Sequence, residues 1–242
     1  MRSMINMKQI YRIGILAGMG PRSTTPFLES VLDECERQYG AKWDNDFPHM
    51  MVYSLPTPFH PKKPLNHNQM VKAIQIGIEA LVKVDCDIIA IPCNSAHLYY
   101  PEICNMTSIP VLNIIHETME CLNPQVSKVS LLATRGTIES GLYQEQLKQK
   151  NKTIYWNEGY QEKVDELILM VKGSGVSEEM LTLWKEIESI LIREEVTEVI
   201  SACTDLFFCR EYSQLKIYDS SKILARSLVK RYMREGLTDV EI

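Results

Sequence analysis

The sequence predicts an α/β fold of two similar βα-repeat units, each a mostly parallel four-stranded sheet flanked by helices, with a cleft between the units. Three observations predict it. Short apolar runs of strand length alternate with longer segments of helical period along the 242 residues, the pattern of parallel sheets covered by helices on both faces. The pattern occurs twice: Ile13 and Val129 lie in matching apolar runs 116 residues apart, and Cys93 and Cys203 end matching runs 110 residues apart, as two copies of one unit require. No Ser- or Pro-rich linker separates the copies, so they should pack closely.

In order, residues 12–17 read as a buried strand that ends at Gly18-Met19-Gly20-Pro21. Residues 24–38 read as a helix with Phe27, Val31, Leu32 and Cys35 on one face, 50–55 as a strand, and 69–83 as a helix striped by Val71, Ile74, Ile78, Leu81 and Val82. Residues 88–91 make a strand that runs into Pro92-Cys93-Asn94-Ser95, with a helix over 96–105, a fourth strand at 111–114 and a short helix at 117–122. In the second copy, the strand 128–133 ends at Thr134-Arg135-Gly136-Thr137 and precedes a helix over 138–150 and a strand at 153–156. Helices over 161–172 and 178–193 are separated at Gly173-Ser174-Gly175. The strand 199–202 runs into Cys203-Thr204-Asp205, and a strand at 216–218 leads through Asp219 or Ser220, as N-cap, to a last helix over 222–234.

Composition narrows the function classes. Hydrophobic residues make up 45% and charged residues 24%, ordinary for a folded globular chain and unlike a disordered one. The formal net charge of −5 leaves no basic excess for neutralising phosphates, so nucleic acid is not an expected partner. No apolar run reaches the ~18 residues of a membrane-spanning helix. The run 13–20 is short and punctuated by glycines, so it reads as a strand and loop rather than a secretory leader. The expected compartment is the cytoplasm. Seven cysteines without a C-x-x-C pair argue against a disulfide framework and a zinc knuckle. His49, His60 and His67 do not share one helical face, so no metal site is expected. Gly14, Gly18 and Gly20 lack the spacing of the dinucleotide-binding fingerprint.

The informative residues are Cys93 and Cys203. Each ends a strand and precedes a helical segment, where unpaired N–H groups favour an anion and lower a thiol's pKa. Asn94 and Ser95 follow the first, Thr204 and Asp205 the second, and all four can bond a ligand. If the copies face each other, two sulfurs flank one cleft. A thiolate on one side of a carbon and a thiol on the other suit proton removal from one face and delivery to the opposite face. His97, four residues after Cys93, reads as a buried hydrogen-bonded histidine. Cys35, Cys86, Cys104 and Cys121 read as small core residues, and Cys209, six residues after Cys203, as facing away along the helix.

These residues together resemble the aspartate/glutamate racemase family. The resemblance rests on Gly14-Ile15-Leu16-Ala17-Gly18-Met19-Gly20-Pro21, Pro92-Cys93-Asn94-Ser95-Ala96-His97, Leu131-Leu132-Ala133-Thr134-Arg135-Gly136-Thr137 and Ala202-Cys203-Thr204-Asp205-Leu206, in this order over nearly the whole chain. It implies a cofactor-independent amino-acid racemase, an isomerase with no metal, whose proton-transferring bases are Cys93 and Cys203. Met19, Gly20, Asn94, Ser95, Thr134, Thr204 and Asp205 would hold the substrate. Lys163, in Lys163-Val164-Asp165-Glu166, resembles a family lysine that contacts substrate. The resemblance implies a discontinuous first domain, 1–114 with 211–242, a second domain over 115–210, and a homodimer. Many aspartate racemases carry Pro-Asp-Arg-Thr after the second strand. Here the region reads Thr57-Pro58-Phe59-His60-Pro61-Lys62, which leaves Lys62 or Lys63, without an arginine's bidentate geometry, or Arg22, or no group at all, in the place of that arginine. Other chemistry on the same fold, an isomerase or decarboxylase of another carboxylate, or an inactive amino-acid-binding relative, also fits. A decarboxylase needs one cysteine, so the presence of two favours inversion.

Overall fold

Five of the six residues of β1 (Arg12–Ala17) are buried, because a parallel sheet covered on both faces leaves its central strand no polar side. In the computed structural model, which describes residues 10–59, 65–174 and 177–237, β1 lies between β2 (His49–Ser54) and β3 (Ile88–Ala90). Both pairings are parallel. The expected fourth strand at 111–114 is reduced to one bridge, Val111 to Ile89. Pro110 offers no N–H on one side. On the other, Asn113 caps α4 (Ile114–Glu120), its side chain accepting from the N–H groups of Ile115 and His116. The second sheet is fully formed and parallel, in the order β5-β4-β6-β7. Its strands are β4 (Lys128–Leu132), β5 (Thr153–Tyr155), β6 (Glu198–Ser201) and β7 (Lys216–Asp219).

The helices follow their local signals. α1 (Thr24–Tyr39) stops at Gly40, left-handed at φ 77°. α2 (His67–Lys83) starts under the Asn66 side chain, and α8 (Glu178–Arg193) under that of Ser177. The helix expected over 96–105 is a 3-10 turn (Ser95–Tyr99) followed by α3 (Tyr100–Met106), with Pro101 in the first turn of α3. The helix expected over 138–150 is two, α5 (Arg135–Glu139) and α6 (Leu142–Gln149), because Gly141 sits between them at φ 72°. α7 (Glu158–Ser174) continues through Gly173. Gly175, in the expected break, lies outside the described residues.

The segment 211–242, expected with the first domain, divides in the structure. β7 pairs with β6 and extends the second sheet, whereas α9 (Ser220–Glu235) packs on α1 and α4. Residues 1–9 and 238–242 lie outside the described residues. One apolar core runs through both sheets and joins Ile13 and Ile15 to Val129, Leu131 and Ile200, with Leu224 and Leu228 of α9 completing it. Smaller cores lie between the second sheet and α7 and α8, and beneath α2. Among the described residues no helix is long and apolar enough to cross a membrane.

Candidate active site

Both cysteines stand just past the carboxyl ends of strands, Cys93 after β3 and Cys203 after β6, where parallel sheets bind ligands. Each opens a 3-10 turn rather than the expected α-helix: Ser95–Tyr99 after Cys93, and Thr204–Arg210 after Cys203. The backbone N–H groups of Ala96 and Ser95 lower the Cys93 thiol, and that of Asp205 lowers the Cys203 thiol. Burial outweighs them, so the lowering expected from a helix N-terminus does not result. The end of β1 closes the site from a third side. Gly18 there has φ +89°, and a Cβ on it would stand 2.6 Å from the Leu55 nitrogen, so the loop requires glycine.

Beside these elements lies an ion pair formed within the second unit, between α7 and the turn that follows β6. Lys172, near the end of α7, places Nζ 2.6 Å from Oδ2 of Asp205, whose side chain is 4% exposed. The same Oδ2 lies 4.0 Å from the Cys203 sulfur. A Cβ on Gly20 would stand 3.0 Å from Asp205 Oδ1 and 3.1 Å from Lys172 Nζ, so the glycine loop packs directly against the pair. Lys172 also sits 5.6 Å above the ring of Phe59. Burial pushes the Cys93 thiol up to about 11; the Ala96 N–H and the Lys172 charge oppose this, and Asp205 adds to it. Burial and then Asp205 push Cys203 up to about 12, again against Lys172. The Cys203 thiol also feels the charge of Cys93, which places both in one electrostatic site. Burial pulls the Lys172 ammonium down, but Asp205 and the two thiols outweigh it and leave Lys172 raised.

The other predicted residues divide. Ser95 Oγ lies 3.0 Å from Thr134 Oγ1 and 2.9 Å from Thr137 Oγ1, in a triangle of hydroxyls that joins the Cys93 turn to the start of α5. Thr204 Oγ1 donates to Ser23 Oγ at 3.2 Å, and Ser23 Oγ donates to the Gly20 carbonyl at 2.8 Å, so the Cys203 turn is tied to the glycine loop. Met19 packs on the edge of the core beneath α2. Asn94 is 2% exposed, and its amide is engaged by Tyr143 and Ser220. His97 is buried as expected. Its Nε2 accepts from the Ile114 N–H, which leaves Nδ1 to donate to the Cys93 carbonyl at 2.8 Å.

Lys163 is not brought into the site. Its Nζ pairs with Glu186 at 2.8 Å on the outer surface of α7 and α8. The lysine at the cleft is Lys172, which the sequence reading missed. Nine residues separate the two, two and a half helical turns, so they face opposite ways. The phase was readable, because Val164, Leu167, Ile168 and Val171 define the buried stripe of α7. Gln161 and Asp165 then fix the helix at the end of β4, through the Ala133 carbonyl and Arg135. Arg22 is exposed on the turn Pro21–Ser23. Lys62 and Lys63 lie outside the described residues.

Known proteins resemble this chain in sequence and in fold. The model of the Asp/Glu/Hydantoin racemase family matches residues 16–228. The broad specificity amino-acid racemase RacX of Bacillus subtilis is 42% identical over 227 residues, 91% of this chain and 98% of that protein. Among solved structures, the aspartate racemase of Picrophilus torridus superposes with a TM-score of 0.77 at 28% identity, over 91% of this chain and 94% of its own. A glutamate racemase of Francisella tularensis in complex with D-glutamate shares the fold, with a TM-score of 0.71 at 17% identity over 96% of this chain and 84% of its own.

Proposed function

The chain belongs to the Asp/Glu/hydantoin racemase family and is an amino-acid racemase, an isomerase; from this premise we propose that Cys93 and Cys203 are the two bases of a cofactor-free inversion at the α-carbon. The single observation that carries the proposal is the pairing of the thiols: each stands just past the carboxyl end of a strand, and both lie within reach of the Lys172 and Asp205 charges. One cysteine, as thiolate, takes the α-proton from one face. The bonding electrons move into the substrate carboxylate, and the other cysteine, as thiol, gives its proton to the opposite face. The enzyme is left with its protonation states exchanged and is ready for the reverse direction.

The surrounding groups supply the charge balance. Lys172 offers an ammonium to a substrate carboxylate and to the carbanion that forms. Asp205 offers a carboxylate to the substrate ammonium. The hydroxyls of Ser95, Thr134 and Thr204 and the backbone of the Gly20 loop complete the polar lining. The substrate range we propose includes aspartate and glutamate and extends beyond them, in keeping with the broad specificity of the B. subtilis relative. A cytoplasmic homodimer is part of the same proposal, and analytical sedimentation checks the dimer.

Proton NMR in deuterated water, on single L-amino acids, tests the reading. Loss of the α-proton signal together with appearance of the D-enantiomer supports it. Cys93→Ser and Cys203→Ser should each lower inversion by about 10²–10⁴-fold, because a serine hydroxyl is a much weaker base. Full activity of either variant in both directions refutes two-base chemistry.

A further inference from the structure

We propose that Ser220 sets the spacing of the two thiols, as a positioning residue that does not touch substrate; the inference rests on the two-base reading above. Ser220 is the first residue of α9 and is fully buried. Its hydroxyl is one link in a hydrogen-bond chain whose direction is fixed by a carbonyl at one end. Ser220 Oγ donates to the Ser201 carbonyl at 2.8 Å. Its oxygen therefore accepts, from Asn94 Nδ2 at 2.9 Å. Asn94 Oδ1 in turn accepts from the Tyr143 hydroxyl at 2.6 Å.

The ends of this chain are what give it meaning. Asn94 follows Cys93 directly, and Ser201 precedes Cys203 by two residues. One hydroxyl from a third element thus ties the strand end that bears the first thiol to the strand end that bears the second. Asn94 and Ser201 are each 2% exposed, and aligned hydrogen bonds in such a dry setting polarise and strengthen one another. The link is separate from the Thr204–Ser23 bond, which ties the Cys203 turn to the glycine loop instead.

Spacing matters to inversion in a way it does not matter to proton removal. Inversion needs both sulfurs on one carbon at once, from opposite faces, and a misplacement of about 1 Å can cost on the order of 10²-fold. Exchange of the α-proton with solvent needs one sulfur only: the thiolate takes the proton and returns a deuteron to the same face. Loosening the link therefore lowers inversion more than exchange. A general loss of stability lowers the amount of active protein and leaves the ratio of the two unchanged.

The experiment measures inversion and α-proton exchange in deuterated water with L-aspartate, L-glutamate, L-alanine and L-lysine as probes. Ser220→Ala removes both bonds and adds no volume. The expected result is a fall of about tenfold or more in the ratio of inversion to exchange, with KM within about twofold. Tyr143→Phe, which removes the far end of the chain and keeps both Ser220 bonds, should shift the ratio in the same direction by less. If Ser220→Ala does not fold, the Tyr143→Phe ratio decides. An unchanged ratio overturns the inference, including the case in which both rates fall in parallel. If the unmutated protein neither inverts nor exchanges any of the four probes, the two-base reading itself is overturned, and this inference with it.

Discussion

Lys172 and Asp205 act on the two thiols with opposite sign, so a single charge change at either has a predictable direction. Both thiols sit above their ordinary value, near 11 and 12. The thiolate fraction therefore rises about tenfold per pH unit across the neutral and mildly alkaline range, and kcat/KM should rise with it. Lys172→Met removes a charge that holds both thiols down, so the alkaline limb should move to higher pH and neutral activity should fall. Asp205→Asn removes a charge that pushes them up, so the limb should move to lower pH. Lys163→Met should move nothing, because Lys163 pairs with Glu186 on the outer surface. The pH profile of kcat/KM checks all three, alongside the pH dependence of iodoacetamide alkylation. A shift of the opposite sign at Lys172 rejects this account. The cysteines were legible because strand ends and a duplicated spacing are sequence properties. Lys172 was missed although the apolar stripe Val164, Leu167, Ile168 and Val171 carries its helical phase. The engagement of Asn94 by Ser220 was not legible at all, because 126 residues separate them and only the tertiary fold joins them.

At the scale of elements, local chemistry was readable and tertiary pairing was not. The Asp219 cap accepts from the N–H groups of Ser221 and Lys222, an interaction contained in four consecutive residues. The strand expected near Val111 depended on a distant partner and shrank to a bridge. Glu188 shows what such distant contacts contribute. From α8 its Oε1 accepts from Ser213 Oγ at 2.7 Å and from the Gln214 N–H at 2.6 Å, and its Oε2 from Lys185 at 3.0 Å. Burial pushes its carboxyl up, but the bonds from Ser213, Lys185 and Gln214 together outweigh burial and hold it below the usual range. Glu188→Ala leaves a partly buried N–H unpaired and should cost about 1–3 kcal/mol at neutral pH. A depressed folded-state value means that the contribution is present above the unfolded value and fades as pH falls through the folded one. The difference in urea midpoint between the protein and the variant should therefore shrink below about pH 4.3. A difference that stays constant into acid rules out the carboxylate as its source.

At the scale of the whole molecule, α9 decides whether the two sheets behave as one body. The duplication was legible from matched spacings, and so was the class of fold. The amphipathic pattern over 222–234 shows an apolar face but not what it meets. In the structure Leu224, Leu228 and Val229 are fully buried, in a core that holds strand residues of both sheets. Leu228→Ala should cost about 2–5 kcal/mol through lost burial and the cavity left behind. Because the core is continuous, the loss should fall on both sheets. Native-state hydrogen exchange separates them: amides of Ile13 and Ile15 in β1 report the first, and those of Val199 and Ile200 in β6 the second. An equal fall in protection at both places means that the sheets open together, as a site with one thiol on each requires. A fall confined to one sheet means that the units open independently, and the spacing of Cys93 and Cys203 then rests on the cleft contacts alone.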